Sequence, residues 1–246
     1  MKNTDIFEIL LETDEFLALD KPSGLLVVRD RWDKSQETLL DLVCSYLGKS
    51  AWPVHRLDKE ASGIVLFAKE QKARTFFEKQ FQEREIEKNY DVLVQGETDQ
   101  DGGSIDLSLS EDLDHPGRMK VGGKRGKHSL TRFEVLERFK GITYLKVYPL
   151  TGRQHQIRVH LQALGHPVIC DPFYGSGRPY YLSEMKRFYK RKEEEPEKPL
   201  MGRLALHASQ LTFSTPQGDA QTIESPLPKD FVVFLKYLRK FWGRGF

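Results

Sequence analysis

The sequence predicts an α+β fold, and three observations carry that prediction. Short runs with strand-like alternation are interleaved with amphipathic helical stretches. The two kinds follow one another without the regular strand–helix–strand rhythm of a parallel α/β sheet. The chain has 246 residues, 39% of them hydrophobic and 30% charged, which suffices to bury a core, and it contains no internal repeat.

Taken in order, Asp14–Pro22 reads as a strand broken by Lys21-Pro22-Ser23-Gly24. Gln36–Leu47 sets Leu39, Leu40, Val43 and Leu47 on one helical face and stops at Gly48. Gly63–Ala68 is an apolar run of strand length. Gln71–Arg84 is a second amphipathic helix, with Ala73, Phe76, Phe77, Gln80 and Phe81 on its inner side; helical spacing makes these rings core rather than base-stacking surfaces. Tyr90–Val94 and Thr143–Tyr148 alternate as strands do. His155–Leu164 is helical, its stripe formed by Ile157, Leu161 and Leu164, with Gly165 closing it. Tyr181–Pro199, dense in Lys, Arg and Glu, reads as a mobile insertion, since strand-like sequence resumes at Leu204. The expected organisation is one domain over residues 1–246 with a charged insertion at about 176–202.

Composition excludes several classes. No apolar run approaches the roughly 20 residues that span a bilayer, and the N-terminus lacks the basic-then-apolar pattern of a secretory signal. The two cysteines, Cys44 and Cys170, have no metal-type spacing and argue for a reducing, cytoplasmic setting. Net charge is only +2, but it is unevenly spread. Six basic residues (Arg118, Lys120, Lys124, Arg125, Lys127 and Arg132) occur between 118 and 132 with no acidic one, and the tail from Lys236 to Arg244 adds four more around Phe241 and Trp242. A basic run is ordinarily a solvated face; interrupted by glycines, it is also the form of a hairpin that lies along phosphates.

Some motifs fail on spacing. Gly122-Gly123-Lys124-Arg125-Gly126-Lys127-His128 has three residues between Gly122 and Gly126 where a phosphate loop needs four, and His128 stands where Ser or Thr should follow the lysine. His155 and His160 are five apart and do not share the helical face of a zinc pair. Gly-x-Ser-x-Gly is absent.

Three segments remain: His55-Arg56-Leu57-Asp58 running into Ser62–Lys69, Glu87-Lys88-Asn89-Tyr90, and Thr151-Gly152-Arg153-Gln154-His155-Gln156-Ile157-Arg158-Val159-His160. Each alone has a plain explanation: a turn-capping aspartate, an amphipathic strand residue, a helix-surface arginine. Together they resemble the RluA family of RNA pseudouridine synthases. The resemblance begins at Leu17–Gly24, continues through Gly165-His166-Pro167-Val168-Ile169-Cys170-Asp171-Pro172-Phe173-Tyr174-Gly175 and ends at Leu206-His207-Ala208-Ser209. It implies a mixed, mainly antiparallel, bent sheet with flanking helices and an RNA-binding cleft, in a short form without the N-terminal S4-type RNA-binding domain. It makes Asp58 the catalytic carboxylate, Tyr90 the active-site tyrosine and Arg158 the arginine that pairs with the aspartate, while Arg56 occupies the space of the flipped base. His55, Arg56, Arg118, Lys120, Lys124, Arg125, Lys127 and Arg153 are the expected RNA contacts. Two positions depart from the family: Ala61 replaces a common threonine, and Cys170 a common glycine.

The implied reaction breaks the N1–C1′ bond of a flipped-out uridine, turns the base and joins C5 to C1′. It uses the aspartate as nucleophile or as the base that starts elimination, and it needs no metal and no cofactor. The implied partner is structured RNA, a ribosomal or transfer RNA stem-loop, bound by a monomer with no membrane contact. Two other readings compete: a catalytically silent RNA-binding or RNA-folding factor, against which the retained Asp58, Tyr90 and Arg158 argue, and a glycoside or nucleoside hydrolase, for which no second carboxylate stands in a comparable motif.

Overall fold

The structure, a computed structural model, describes residues 6–29, 35–189 and 196–243. The chain divides into two compact units, residues 1–89 with 207–226, and residues 90–206 with 227–246. Among the described residues, no helix is long and apolar enough to cross a membrane.

The first unit contains β1 (Glu8–Glu12), β2 (Phe16–Lys21), α1 (Leu39–Leu47), β3 (Trp52–Pro53), β4 (Ser62–Ala68) and α2 (Gln71–Glu83). The chain then crosses to the second unit within β5 (Glu87–Gln95). There it forms β6 (Gly102–Asp106), β7 (Leu109–Glu111), β8 (Met119–Val121), β9 (Leu130–Phe139), β10 (Ile142–Pro149), α3 (Gln156–Ala163) and α4 (Leu182–Met185). It returns through β11 (Leu206–Ser214) and β12 (Ala220–Glu224) and ends in the second unit with α5 (Lys229–Phe241).

In the first unit β4 is the spine. It pairs antiparallel with β2 and β3 and parallel with β11, while β1 adds to β2 and β12 to β11. Every residue of β4 is buried, which its uninterrupted apolar run requires of a strand covered on both faces. One face of the sheet carries Phe16 and Phe213 against Phe77 of α2, the three rings meeting edge to face at 5.5–5.6 Å. Helix α1 begins later than its periodicity suggests, at Leu39, because Thr38 caps it and forms a reciprocal capping box with Asp41.

The parallel pairing sets Gly63 of β4 opposite Ala208 of β11. Gly63 has φ +113°, and a Cβ there would lie 2.3 Å from the Ala208 carbonyl oxygen. Only glycine fits, so Ser62-Gly63 and His207-Ala208, far apart in sequence, are one structural unit. Ser62 Oγ and His207 Nδ1, both buried, lie 3.0 Å apart beside this close approach.

In the second unit β5, β10, β9 and β6 form a consecutive antiparallel run, and β7 and β8 a separate two-stranded hairpin. Helix α3 is buried from Gln156 to Leu161. Leu164, expected in its apolar stripe, is instead 43% exposed, because Gly165 at φ +82° turns the chain immediately after it. The described flanks of the charged insertion are folded: Tyr180 and Met201 bridge, Met201 is fully buried, and the Tyr180 ring packs on Phe234 of α5. The centre of that insertion, 190–195, and Arg244 in the basic tail lie outside the described residues.

Gly63→Ala should cost about 3 kcal/mol or more, through strain at its positive φ and collision with Ala208. Gly152→Ala, with an ordinary φ and open space around it, should stay within about 0.5 kcal/mol of the parent. Urea unfolding of the two variants checks this.

Candidate active site

Asp58 opens a turn in the first unit, its carbonyl accepting the Ala61 N–H at 3.2 Å. The turn is held from below by the Lys21–Gly24 segment. Lys21 is fully buried, and its ammonium donates to the carbonyls of Pro22 (2.9 Å), Leu25 (2.8 Å) and Lys59 (3.1 Å). The Gly24 N–H also reaches the Lys59 carbonyl, at 2.8 Å, and Ser23 Oγ donates to that of Glu60. A buried ammonium needs three acceptors, and here backbone dipoles supply them. Directly beyond the turn stand Ser62 and Gly63, so Asp58 is anchored at both ends.

Arg56 is exposed. His55 turns inward: its Nε2 accepts the Leu66 N–H at 3.1 Å and its ring lies 4.9 Å from that of Phe81. Burial, aided by the charge of Lys88, holds His55 down to about 3. Lys88 itself is lowered to about 8, chiefly by burial and secondarily by the charge of Arg84.

In the second unit Tyr90 lies on β5 opposite Val147 of β10. Its neighbour Asp91, buried, accepts from Tyr144 Oη and from Lys146 Nζ. Arg158 on α3 is fully buried. Its Nε and Nη2 each reach a carboxylate oxygen of Asp171 at 2.8 Å, a bidentate grip. Asp171 Oδ1 also accepts the N–H groups of Phe173 (2.8 Å) and Tyr174 (3.1 Å). The guanidinium carbon lies 5.3 Å and 5.2 Å from the centroids of those two rings.

The helix is aimed by its own polar residues. Gln156 accepts from Thr151 Oγ1 and the Arg153 N–H, and donates to the Leu130 carbonyl and Thr131 Oγ1, folding the Thr151–His155 loop over the helix start. His160, also buried, lies 2.9 Å from Thr131 Oγ1 and 3.2 Å from the Leu107 carbonyl. Both histidines of this motif are thus hydrogen-bonded polar groups, His155 through Tyr174.

The basic hairpin divides in two. Arg118 Nη1 donates to the Phe173 carbonyl at 3.0 Å, and Lys120 pairs with Asp112 at 3.0 Å and Asp114 at 3.5 Å. The hydrogen bonds from His115 and Lys120 hold Asp112 down to about 2. Lys124, Arg125 and Lys127 are exposed around a tight turn in which Gly126 N–H bonds the Gly123 carbonyl at 3.0 Å. Arg153 Nε reaches the His128 carbonyl at 3.3 Å. Among the described residues, no group of three or more His, Cys, Asp or Glu side chains is placed to hold a metal ion.

Residues 15–163 match the family of RNA pseudouridylate synthases. The chain is 37% identical over 210 residues to the dual-specificity RNA pseudouridine synthase RluA of Pasteurella multocida (strain Pm70), covering 85% of this chain and 87% of that one. It is 34% identical over 237 residues to the ribosomal large subunit pseudouridine synthase D of Neisseria meningitidis serogroup B, covering 94% of this chain and 61% of the other. The chain belongs to the RNA pseudouridylate synthase family. Among solved structures, human RNA pseudouridylate synthase domain containing 1 superimposes with a TM-score of 0.71 at 27% identity, over 96% of this chain and 88% of its own. Human RNA pseudouridylate synthase domain containing 4 reaches 0.73 at 22% identity over 94% and 93%, a likeness of fold. As a member of this family the protein is an isomerase that converts uridine to pseudouridine in RNA.

The two departures from the family pattern now have physical settings. Ala61 is buried and closes the Asp58 turn through its backbone alone, so no side-chain donor is required for that bond. Cys170 has φ +57°, where glycine is unstrained. Its Sγ lies 3.2 Å from the Arg178 carbonyl and 3.4 Å from that of Met201, and burial pushes the thiol up to about 12. The residues that sequence reasoning did not single out for the site are Lys21, Asp171, Phe173 and Tyr174. All four stand inside quoted motifs, but their tasks depend on partners the motifs do not name.

The inward His55 predicts a pH dependence. Its folded value, near 3, lies below the unfolded value of about 6.5, so between these limits the unfolded chain binds the extra proton. Stability is therefore complete above about pH 6.5 and falls as pH drops through the window, by about 1 kcal/mol at pH 5.5 given the ring's partial exposure. Protonation at Nε2 would also set two donors face to face at Leu66. Urea unfolding at pH 7.0 and 5.5 should show this loss, and His55→Gln should remove that share of it.

Proposed function

We propose that Asp58 is the carboxylate that starts the isomerisation, that Tyr90 stacks on the flipped uracil and offers its hydroxyl to the C5 proton, and that Arg158 directs the Asp58 carboxylate. The substrate is a structured RNA in which the uridine lies in a loop, where extrusion costs least. Ribosomal and transfer RNA stem-loops are the proposed class; the Neisseria relative is named for the ribosomal large subunit and the Pasteurella relative for dual specificity toward RNA. The enzyme works as a monomer in the cytoplasm.

The observation that carries this reading is the anchoring of the Asp58 turn: a buried lysine spends its hydrogen bonds on the surrounding carbonyls, including that of Lys59. Such investment fits a loop whose side chain must be held in one position for chemistry. Asp58 acts on the sugar of the extruded nucleotide, either by adding to C1′ as the N1–C1′ bond breaks or by withdrawing the C2′ proton as the base leaves C1′. The sugar and base are then rejoined through C5, with the C5 proton removed last.

Asp58→Asn should lower single-turnover pseudouridine formation on the order of a thousandfold or more while leaving RNA affinity within about twofold. Arg158→Lys should also fail, since an ammonium cannot reproduce the planar fork. Near-parental turnover in purified Asp58→Asn would sink the assignment. The exposed turn of residues 122–127 that follows β8, the tip of the basic segment, is the proposed phosphate grip. Lys124→Ala with Arg125→Ala should weaken binding to all RNAs alike and reduce the salt slope of log affinity by about 0.7–0.9 for each lost contact. An unchanged slope would return the tip to an ordinary solvated turn.

A further inference from the structure

Two adjacent aromatic residues join the basic hairpin to the helix that carries Arg158. Met119, the first residue of β8, donates its N–H to Tyr174 Oη at 2.7 Å. The same oxygen lies 2.8 Å from Nδ1 of His155, the residue at the start of α3. The phenol oxygen thus accepts from Met119 while it is paired with the imidazole, whose tautomer sets which of those two donates. Phe173 serves both sides as well. Arg118, just ahead of β8, has its guanidinium 5.0 Å from the Phe173 centroid, while that of Arg158 is 5.3 Å away. The two rings stand at 80° to each other, so Arg158 rests in the corner between them.

Packing alone does not call for this arrangement. A phenylalanine at 174 would fill the same corner, but only a hydroxyl joins the backbone of β8 to the imidazole at the head of α3. Asp171 fixes two donors of Arg158, and the rings set the plane of the guanidinium. A displacement of the hairpin moves Met119 and Arg118, and so moves the support of that plane.

We propose that Tyr174, with Phe173 beside it, is a positioning residue that couples the hairpin to Arg158, so that the hairpin's grip on RNA phosphates sets the direction of the Arg158 guanidinium. This rests on the roles proposed above for Arg158 and for the hairpin tip. RNA that binds without engaging the tip is therefore turned over slowly even when fully bound. Selectivity then acts on the chemical step as well as on affinity.

The test is a mutant cycle read as the single-turnover rate at saturating RNA, with affinity and the urea midpoint measured separately. Tyr174→Phe should lower that rate about tenfold with RNA affinity unchanged. Replacing Lys124 and Arg125 with Ala should lower the saturated rate about three- to tenfold in the parent and leave it unaltered in the Tyr174→Phe background. Phe173→Leu should slow the bound complex in the same way, and Phe173→Tyr should recover most of that loss; this pair serves if Tyr174→Phe is too unstable to assay. Rates that multiply independently, or a parental rate in Tyr174→Phe, overturn the coupling. Arg158→Lys run alongside separates the two levels. If it is inactive while Tyr174→Phe is unimpaired, the coupling alone fails; if it is fully active, the role given to Arg158 fails first.

Discussion

Arg158 is completely buried, and a guanidinium without water demands a carboxylate and full use of its donors. Asp171 supplies the carboxylate, and the arrangement around the pair follows from that requirement. The fork of Arg158 meets both oxygens, and one of those oxygens also collects the N–H groups that start the Phe173–Tyr174 turn. One anionic group thereby orders the helix side chain, the turn and, through the turn, the two rings that flank the guanidinium. Breaking a buried pair of this kind by removing one partner typically costs about 3–5 kcal/mol, because the remaining charge stays behind unpaired. The pair's value is directional more than additive: it leaves the guanidinium a single orientation.

The Asp58 side is built by the same logic with a cation at its base. Lys21 is buried and satisfied by carbonyl dipoles, one of them in the turn that Asp58 opens. The next residues run into Gly63, which permits β4 and β11 to approach more closely than any side chain allows. In both units a proposed site residue stands beside a fully buried, hydrogen-bonded charged group: Lys21 steadies the loop of Asp58, and Asp171 the side chain of Arg158 on α3.

Much of this was legible in the sequence. The α2 helix and its Phe77, the spine strand, the strands that became β2, β5 and β10, and the α3 helix all follow from periodicity and stop signals, which are local. The family resemblance runs through residues that turn out to organise the site. Other elements were missed for physical reasons. Strands β6 to β9 carry polar alternation that a half-exposed sheet shares with loops, and α5 announced itself as a basic tail although Phe231, Phe234, Leu235 and Leu238 form a buried stripe. The basic segment read as uniform; the structure commits Arg118 to Phe173 and Lys120 to Asp112, leaving Lys124, Arg125 and Lys127 exposed.

The sequence by itself determined the family and the reaction, and it nominated Asp58, Tyr90 and Arg158 for the proposed site, because those readings rest on residue types in a fixed order. It also located α1, α2, α3 and the strands β2, β4, β5 and β10, since the pattern that selects them spans only a few residues. Only the tertiary structure decided which charges are spent and which remain exposed. Lys21 finds the Lys59 carbonyl 38 residues away, and Arg158 finds Asp171 13 residues on. Partners of that kind are chosen by burial: once water is excluded, a charged group must take whatever opposite charge or dipole the fold brings within reach, and no short stretch of chain encodes that choice.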